Sequence, residues 1–195
     1  MASTSPSGTR AEPTALTAVR AIGGFVALLW VIESIDAALD NRLDRYGIEP
    51  RDQDGLVGIL FAPLLHGGWD HLAANTVPVI VLGFLVFLGG AGYGLGVTTV
   101  VWLVAGTGIW LTGPVGTIHL GASMLVFGWL TCLLVRGFVS RRPGQLAVAV
   151  LVFLLYGGAL WGVLPGQPGI SWQGHLFGAV GGVLAALLLT ERTKR

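Results

Sequence analysis

Ser123 and His175 are the two residues of this chain whose types could do chemistry together. Ser123 stands in the run Gly121-Ala122-Ser123, and His175 is followed by Leu176-Phe177-Gly178; each lies a few residues inside a long apolar segment. Ionisable groups in membrane-spanning segments are costly without partners, and they indicate function by default. An imidazole can act as base for a serine hydroxyl, the minimum needed for acyl transfer. The pair therefore predicts hydrolysis inside a membrane.

The composition is that of an integral membrane protein. Of the 195 residues, 53% are hydrophobic and 11% are charged, whereas soluble domains carry about 25% charged residues. The net charge of +1, with no basic patch outside the membrane flanks, gives no indication of a nucleic-acid partner. The single cysteine, Cys132, excludes an intrachain disulfide and is expected to be a small core residue.

Six apolar stretches have roughly the length that crosses a bilayer, about 20 residues. They predict an all-α membrane protein, a bundle of six transmembrane helices. The predicted spans are Ala15–Ala38, Leu72–Leu88, Tyr93–Leu111, Leu120–Val135, Gln145–Val163 and Trp172–Thr190. The only long connection, Asp40–His71, is itself partly apolar, and a loop of that length is usually functional.

Composition also divides the chain into three parts. Residues 1–14 are polar and rich in Ser, Pro and Thr, which predicts a disordered N-terminus. Residues 15–190 form the membrane domain, and residues 191–195 form a basic tail. Eight Lys or Arg residues flank one side of the predicted bundle and three flank the other. By the positive-inside rule, both termini are expected in the cytoplasm of a multi-pass cell-membrane protein.

This topology brings polar residues from three spans to one depth. The second, fourth and sixth spans all start at the outer face. The polar residues near these starts are His71 and Asn75 in the second span, Ser123 in the fourth and His175 in the sixth. At 1.5 Å rise per residue, these groups are expected within roughly 10 Å of one level. His66 precedes His71 by five residues, which takes it off the His71 helix face and favours a role in holding the loop.

Three motifs resemble those of the rhomboid family of intramembrane serine proteases. His66-Gly67-Gly68-Trp69-Asp70-His71-Leu72-Ala73-Ala74-Asn75 is similar to the family's His-x4-His-x3-Asn signature at the second span. Gly121-Ala122-Ser123 is similar to its Gly-x-Ser nucleophile motif. His175 to Gly182 is similar to its sixth-span histidine with a Gly-x3-Gly stripe. The resemblance covers about Leu16 to Thr190 and implies a rhomboid-like six-helix bundle.

The resemblance implies a role for each matched residue. Ser123 would be the nucleophile and His175 the general base of a Ser–His dyad. Asn75 and His71 would donate to the oxyanion together with the Ser123 N–H. Phe127, one turn after Ser123, matches an aromatic position that stacks on the histidine. Gly121 belongs to the nucleophile motif, and Gly178 and Gly182, four residues apart on one helix face, would allow close helix packing.

Structural alternatives stay open for these side chains. Ser123 could bond back to the carbonyl of residue 119, His175 could be an interfacial structural histidine, and Asn75 could make an interhelical hydrogen bond. His119 could cap the fourth span, line the water access or tune the dyad, with capping favoured. Glu33 and Asp36, near the outer end of the first span, are expected at the interface in contact with the charged loop.

The predicted function is therefore an intramembrane serine endopeptidase that cleaves transmembrane segments of other proteins near the outer face. No metal and no cofactor is predicted, because a His-Glu-x-x-His zinc motif is missing. The alternative is a non-catalytic rhomboid-like protein that binds membrane helices, which Met124 favours because the family pattern has glycine after the nucleophile. A transporter is a weaker option, since no inverted repeat is evident. Substrate and oligomeric state are not specified by the sequence.

Overall fold

The protein is an all-α bundle, seen here in a computed structural model that describes residues 14–167 and 169–190. The described residues form seven α-helices. They are α1 (Thr14–Ala38), α2 (Gly55–Phe61), α3 (Trp69–Phe87), α4 (Ala91–Thr112), α5 (Ser123–Ser140), α6 (Pro143–Tyr156) and α7 (Trp172–Leu189). The predicted disordered N-terminus, apart from Thr14, and the basic tail lie outside the described residues.

Six of these helical segments are long and apolar enough to cross a membrane, which confirms the predicted six-span architecture. The fifth span combines α6 with a 3-10 segment, Gly157–Val163, that continues it. The remaining helix, α2, lies in the long connection between α1 and α3 and is followed by a 3-10 turn at Ala62–Leu64. The protein is therefore a multi-pass membrane protein.

Helix α5 lies at the centre of the bundle. Twelve of its 18 residues are buried, whereas only Ala149 and Val152 are buried in α6. Helix α5 has its largest interface with α7, and α4 packs on α7 from another side. The apolar exteriors of α1 and α6 suit lipid contact, because a helix surface facing hydrocarbon gains nothing from polar groups. The core helices α5 and α7 carry Ser123 and His175.

The start of α5 differs from the prediction. The sequence predicted a span from Leu120, but the helix begins at Ser123 and extends to Ser140. Gly121 has a φ of +119°, a value that L side chains rarely adopt. Its N–H donates to the carbonyl of Ala62, at 2.8 Å, in the connection that precedes α3. The chain therefore enters α5 through a sharp bend that puts Ser123 at the first helical position.

The expectation for Glu33 and Asp36 was wrong in one respect, because both are buried rather than interfacial, each 1% exposed. Asp36 does contact the following loop, since its Oδ1 accepts a hydrogen bond from the Leu43 N–H at 2.6 Å. Among the described residues, neither oxygen of Glu33 has a hydrogen-bond partner. Asp44, in the same loop, adds a third carboxyl to this cluster. The outer end of α1 thus anchors the connection through the Asp36 carboxylate.

Candidate active site

Ser123 and His175 are in hydrogen-bond contact. They come from two different helices: Ser123 is the first residue of α5, and His175 lies in the first turn of α7. The distance from Ser123 Oγ to His175 Nε2 is 3.0 Å. This is within the range at which a base can take a hydroxyl proton. His175 is only 9% exposed, so bulk water reaches little of its ring.

The second ring nitrogen of His175 defines which tautomer is present. His175 Nδ1 lies 3.0 Å from the backbone carbonyl oxygen of Gly162. A carbonyl oxygen can only accept, so Nδ1 carries the hydrogen and, in the neutral ring, Nε2 presents its lone pair to Ser123. The Ser123 hydroxyl is then the donor in the dyad contact. This is the arrangement that a general base requires before reaction.

Phe127 and Gly162 hold the imidazole in place from two sides. The Phe127 ring stacks on the His175 ring with a centroid separation of 4.0 Å and an interplanar angle of 9°. A Cβ built on Gly162 would stand 3.0 Å from Phe127 and 3.2 Å from His175 Nδ1. Gly162 is a site residue that sequence reasoning missed, because it acts through its backbone and carries no side-chain signal.

His71 and Asn75 lie in the first two turns of α3, beside the chain that leads into Ser123. A Cβ on Gly121 would stand 2.6 Å from Cε1 of His71, so the imidazole packs directly on that glycine. Asn75 is 6% exposed, and its Nδ2 donates to the His71 carbonyl oxygen at 2.9 Å. This bond lies within α3, in contrast to the interhelical bond considered as an alternative. It fixes the amide plane without using the side-chain oxygen.

His66 also contacts the chain that leads into α5. Its Nε2 accepts a hydrogen bond from the Ala122 N–H at 3.3 Å, and its ring meets that of His71 edge-on at 5.2 Å. The side chain is 1% exposed. Burial, together with the nearby His71, lowers the pKa of His66 to about 4. His66 is therefore neutral at physiological pH and positions the residue that precedes Ser123.

His119 connects the loop before α5 to the start of α7. Its Nδ1 lies 2.7 Å from Ser171 Oγ, and Ser171 caps α7 by accepting the Gly174 N–H at 3.2 Å. The favoured interpretation, a cap on the fourth span, does not describe this geometry, because His119 acts on the cap of the sixth. Burial lowers the pKa of His119. The His119–Ser171 contact positions the helix turn that carries His175.

Comparison with known proteins assigns the chain to a family. The sequence profile of the Rhomboid domain matches residues 53–192, which include Ser123, His175, His71 and Asn75. The chain belongs to the rhomboid family. An uncharacterized protein of Mycobacterium tuberculosis is 47% identical to this rhomboid over 98% of the chain and 87% of its own length. An uncharacterized protein of Mycobacterium leprae is 48% identical over 88% of the chain and 71% of its own length.

A more distant relative has a name that refers to an activity. The Bacillus subtilis protein named "Putative rhomboid protease YdcA" is 28% identical over 68% of this rhomboid and 66% of its own length. No solved structure shows a significant match to the chain. Membership of the rhomboid family supports intramembrane proteolysis as the general class of function.

Proposed function

We propose that this rhomboid is an intramembrane serine endopeptidase that uses Ser123 as nucleophile and His175 as general base. The observation that carries the proposal is the 3.0 Å contact between Ser123 Oγ and His175 Nε2. It is paired with the 3.0 Å contact of His175 Nδ1 to the Gly162 carbonyl oxygen. Together they give an imidazole with its basic nitrogen directed at the hydroxyl, which activates a nucleophile without a third acidic member.

The proposed reaction starts with attack of Ser123 Oγ on the scissile carbonyl carbon, while the hydroxyl proton passes to His175 Nε2. The tetrahedral intermediate collapses when the C–N bond breaks and the proton on Nε2 is given to the leaving amine. A water molecule then attacks the acyl-enzyme, His175 takes its proton, and the ester bond to Ser123 breaks. The proton returns to Oγ, so the dyad is regenerated.

The groups proposed to stabilise the oxyanion are Asn75, His71 and the Ser123 N–H. The Ser123 N–H is at the first position of α5, where backbone N–H groups are not used within the helix and favour negative charge. The Asn75 amide and the His71 ring lie on the neighbouring turns of α3. A single donor of this kind contributes about 3–4 kcal/mol to the transition state.

Charge distribution supports an orientation with both termini in the cytoplasm. Along the sequence, eight Lys or Arg residues precede α1, lie near its start, surround the turn between α5 and α6 or follow α7, against three in the connection between α1 and α3. The starts of α3, α5 and α7 would then face the outside. Substrates would be transmembrane segments of other proteins cut near the outer face, with cleavage favoured where Gly or Pro lets the helix unwind into an extended strand.

Cleavage of a model transmembrane substrate tests the proposal. Ser123→Ala and His175→Ala are each expected to remove nearly all turnover, with little further loss in the double variant, because the two residues act as one unit. Ser34→Ala is a suitable control, since Ser34 is an exposed serine whose hydroxyl bonds to its own helix at Trp30. If Ser123→Ala retains most of the cleavage, the proposed mechanism is wrong.

A non-catalytic helix-binding protein is the competing function, and Met124 is the observation that favours it. Met124 occupies the position after the proposed nucleophile, where the family pattern has glycine, and it is 2% exposed. A wild-type protein that binds the substrate helix but never cleaves it would support this alternative.

A further inference from the structure

The backbone of His119 is fixed by a pairing that joins it to the long connection between α1 and α3. In this antiparallel bridge the Ile48 N–H donates to the His119 carbonyl oxygen at 2.8 Å, and the His119 N–H donates to the Ile48 carbonyl oxygen at 2.9 Å. Ile48 is fully buried and His119 is 8% exposed. The imidazole of His119 therefore extends from a fixed point beside the dyad's two helices.

The hydrogen bonds of the His119 side chain have a defined direction. The Thr117 hydroxyl donates to the Pro114 carbonyl oxygen at 2.6 Å, so its hydrogen is used there. Thr117 Oγ1 must then accept from His119 Nε2, which lies 2.9 Å away. Burial lowers the pKa of His119, so the ring is neutral at physiological pH. With the hydrogen on Nε2, Nδ1 presents its lone pair, and His119 has the tautomer opposite to that of His175.

Ser171 is bonded to His119 and to the first turn of α7 at the same time. Its Oγ lies 2.7 Å from His119 Nδ1, and because Nδ1 has no hydrogen, the Ser171 hydroxyl is the donor. The same oxygen accepts the Gly174 N–H at 3.2 Å. Hydrogen bonds in a chain polarise one another, so donation to His119 makes Ser171 a better acceptor for α7. The capping rotamer of Ser171 is thus the one that His119 favours.

The turn that Ser171 holds is the turn that carries the general base. The Ser171 carbonyl oxygen accepts the His175 N–H at 3.1 Å, while the His175 ring bonds to the Gly162 carbonyl oxygen and to Ser123, each at 3.0 Å. A shift of this turn therefore changes the contact between the imidazole and the hydroxyl. A misplacement of about 1 Å can cost about 100-fold in rate.

We propose that His119 is a positioning residue for the Ser123–His175 dyad, which accepts a hydrogen bond from the Ser171 hydroxyl through Nδ1 and so fixes the first turn of α7. It acts through Ser171 and the α7 backbone rather than on the substrate. The proposal rests on the proposed function, because it concerns the general base of that reaction. It predicts that the reaction depends on an acceptor at the position of Nδ1 and not on the size of the side chain.

Two substitutions at His119 separate hydrogen bonding from packing. The side-chain oxygen introduced by His119→Asn can take the place of Nδ1 and accept from Ser171. The amide introduced by His119→Gln takes the place of Nε2, so it can still bond to Thr117 but not to Ser171. Gln is closer to His in size, so a packing role predicts higher activity for His119→Gln.

The proposal predicts the reverse order. His119→Asn is expected to keep kcat within about threefold of wild type, whereas His119→Gln is expected to lower kcat about tenfold, the factor that one buried hydrogen bond can contribute. KM is expected to change less than about twofold in both variants, because neither alters a substrate contact. Steady-state cleavage of a model transmembrane substrate provides both parameters.

Substitutions at Ser171 test the other partner of the bond. Ser171→Ala is expected to lower kcat at least about tenfold, since the cap of α7 is lost with the bond. Adding His119→Gln to Ser171→Ala is expected to cost little more, because both changes remove the same hydrogen bond. Ser171→Thr retains the hydroxyl and is expected to restore wild-type kinetics. Its comparison with Ser171→Ala carries the test if His119→Gln does not fold.

Thr112→Ala is the matched control for loss of a hydroxyl near this loop. Thr112 is exposed at the end of α4, and its hydroxyl donates to the Gly108 carbonyl oxygen of its own helix at 2.7 Å. The variant is expected to have wild-type kinetics. The melting temperature in the same detergent reports whether each variant is folded.

Hydrogen exchange of the peptide that contains Gly174 and His175 provides a readout that does not depend on cleavage. Exchange is expected to be faster than wild type in His119→Gln and in Ser171→Ala, and unchanged in His119→Asn and in Thr112→Ala. A wild-type protein that cleaves no substrate would contradict the proposed function, whereas the exchange rates would still decide whether His119 fixes α7. Three results would overturn the proposal: a higher kcat in His119→Gln than in His119→Asn, additive losses in the double variant, or equal exchange in all variants.

Discussion

Gly178 packs directly against the backbone of Met124, so that a Cβ on Gly178 would overlap the Met124 carbonyl oxygen. One turn further along α7, a Cβ on Gly182 would overlap the carbonyl oxygen of Gly128. The two glycines thus let α7 lie against the backbone of α5 itself, which is how small residues act in membrane helix packing. The spacing of Ser123 and His175 depends on this close approach.

Substitution of these glycines is expected to abolish cleavage although Ser123 and His175 themselves are unchanged. Gly178→Ala must push α7 away from α5, because the atom in the way is backbone and cannot rotate aside. The result expected is a loss of at least about 100-fold in turnover, the size of effect that a 1 Å misplacement can have. Gly23→Ala is the control, since a Cβ there has nothing within 4 Å. Cleavage rate and melting temperature are measured together, and full activity in Gly178→Ala would contradict the packing argument.

The proposed oxyanion donors give a second prediction. Asn75→Ala is expected to lower kcat about 100- to 1,000-fold with a small change in KM, because a donor aimed at the oxyanion acts mainly in the transition state. Thr76→Ala is a control on the next residue, since the Thr76 hydroxyl donates to the Leu72 carbonyl and accepts from Trp30 Nε1 of α1, both away from the dyad. Steady-state kinetics on a soluble or detergent-dispersed substrate separates the two parameters. A change confined to KM would assign Asn75 to substrate binding.

The side chain after the nucleophile gives a third prediction. Met124 belongs to the hydrophobic core and is 2% exposed, so its side chain packs between helices. Met124→Gly is expected to destabilise the fold by about 3 kcal/mol or more, from the lost core contacts and the helix cost of glycine. Activity per folded molecule is expected to be kept or raised. Met124→Leu conserves volume and serves as the control. Loss of activity in a glycine variant that still folds would show that the Met124 side chain contributes to the active site.

Asp44 gives a prediction about pH. Burial, with the negative charges of Asp36 and Glu33 beside it, raises the pKa of Asp44 from 3.8 to about 6. A carboxyl whose pKa is raised on folding stabilises the fold fully below the unfolded pKa of about 4, and that stabilisation is lost as the pH rises through 6. Asp44→Asn is therefore expected to raise the melting temperature at pH 8 and to change it little at pH 4.

The lowered pKa of His66 works in the opposite direction, because its protonation on acidification disfavours the folded state as the pH falls from 6.5 toward 4. For this reason the comparison is made between Asp44→Asn and wild type at each pH, so that the contribution of His66 cancels. A melting-temperature difference that is the same at pH 4 and pH 8 would contradict the role given to Asp44. Asp40→Asn, in the exposed part of the same loop, is the control.

The six-helix architecture and the pairing of Ser123 with His175 were accessible from sequence because both depend on regular features. Span length follows from bilayer thickness, and alternation of direction puts the starts of three spans on one side. His66, His71 and Asn75 were placed near the site for the same reason. The family motifs then gave each of these residues a role to test.

Other features depend on irregular backbone and could not be predicted. The Gly162 carbonyl that accepts from His175 lies in a 3-10 segment, and the His119–Ser171 contact joins two loops 52 residues apart. The true start of α5 is set by the conformation of Gly121, which no periodicity reports. Burial of Glu33 and Asp36 follows from how the long connection folds back on α1, a tertiary effect without a local signal.

Active-site labelling tests the central claim most directly. Purified wild-type protein is treated with a fluorophosphonate probe, which reacts with activated serine hydroxyls, and the modified peptide is identified by mass spectrometry. The account predicts covalent modification at Ser123, none in Ser123→Ala, strong reduction in His175→Ala because the base is lost, and wild-type labelling in Ser34→Ala. A folded wild-type protein that takes no label at Ser123, or equal labelling in Ser123→Ala, would contradict the account.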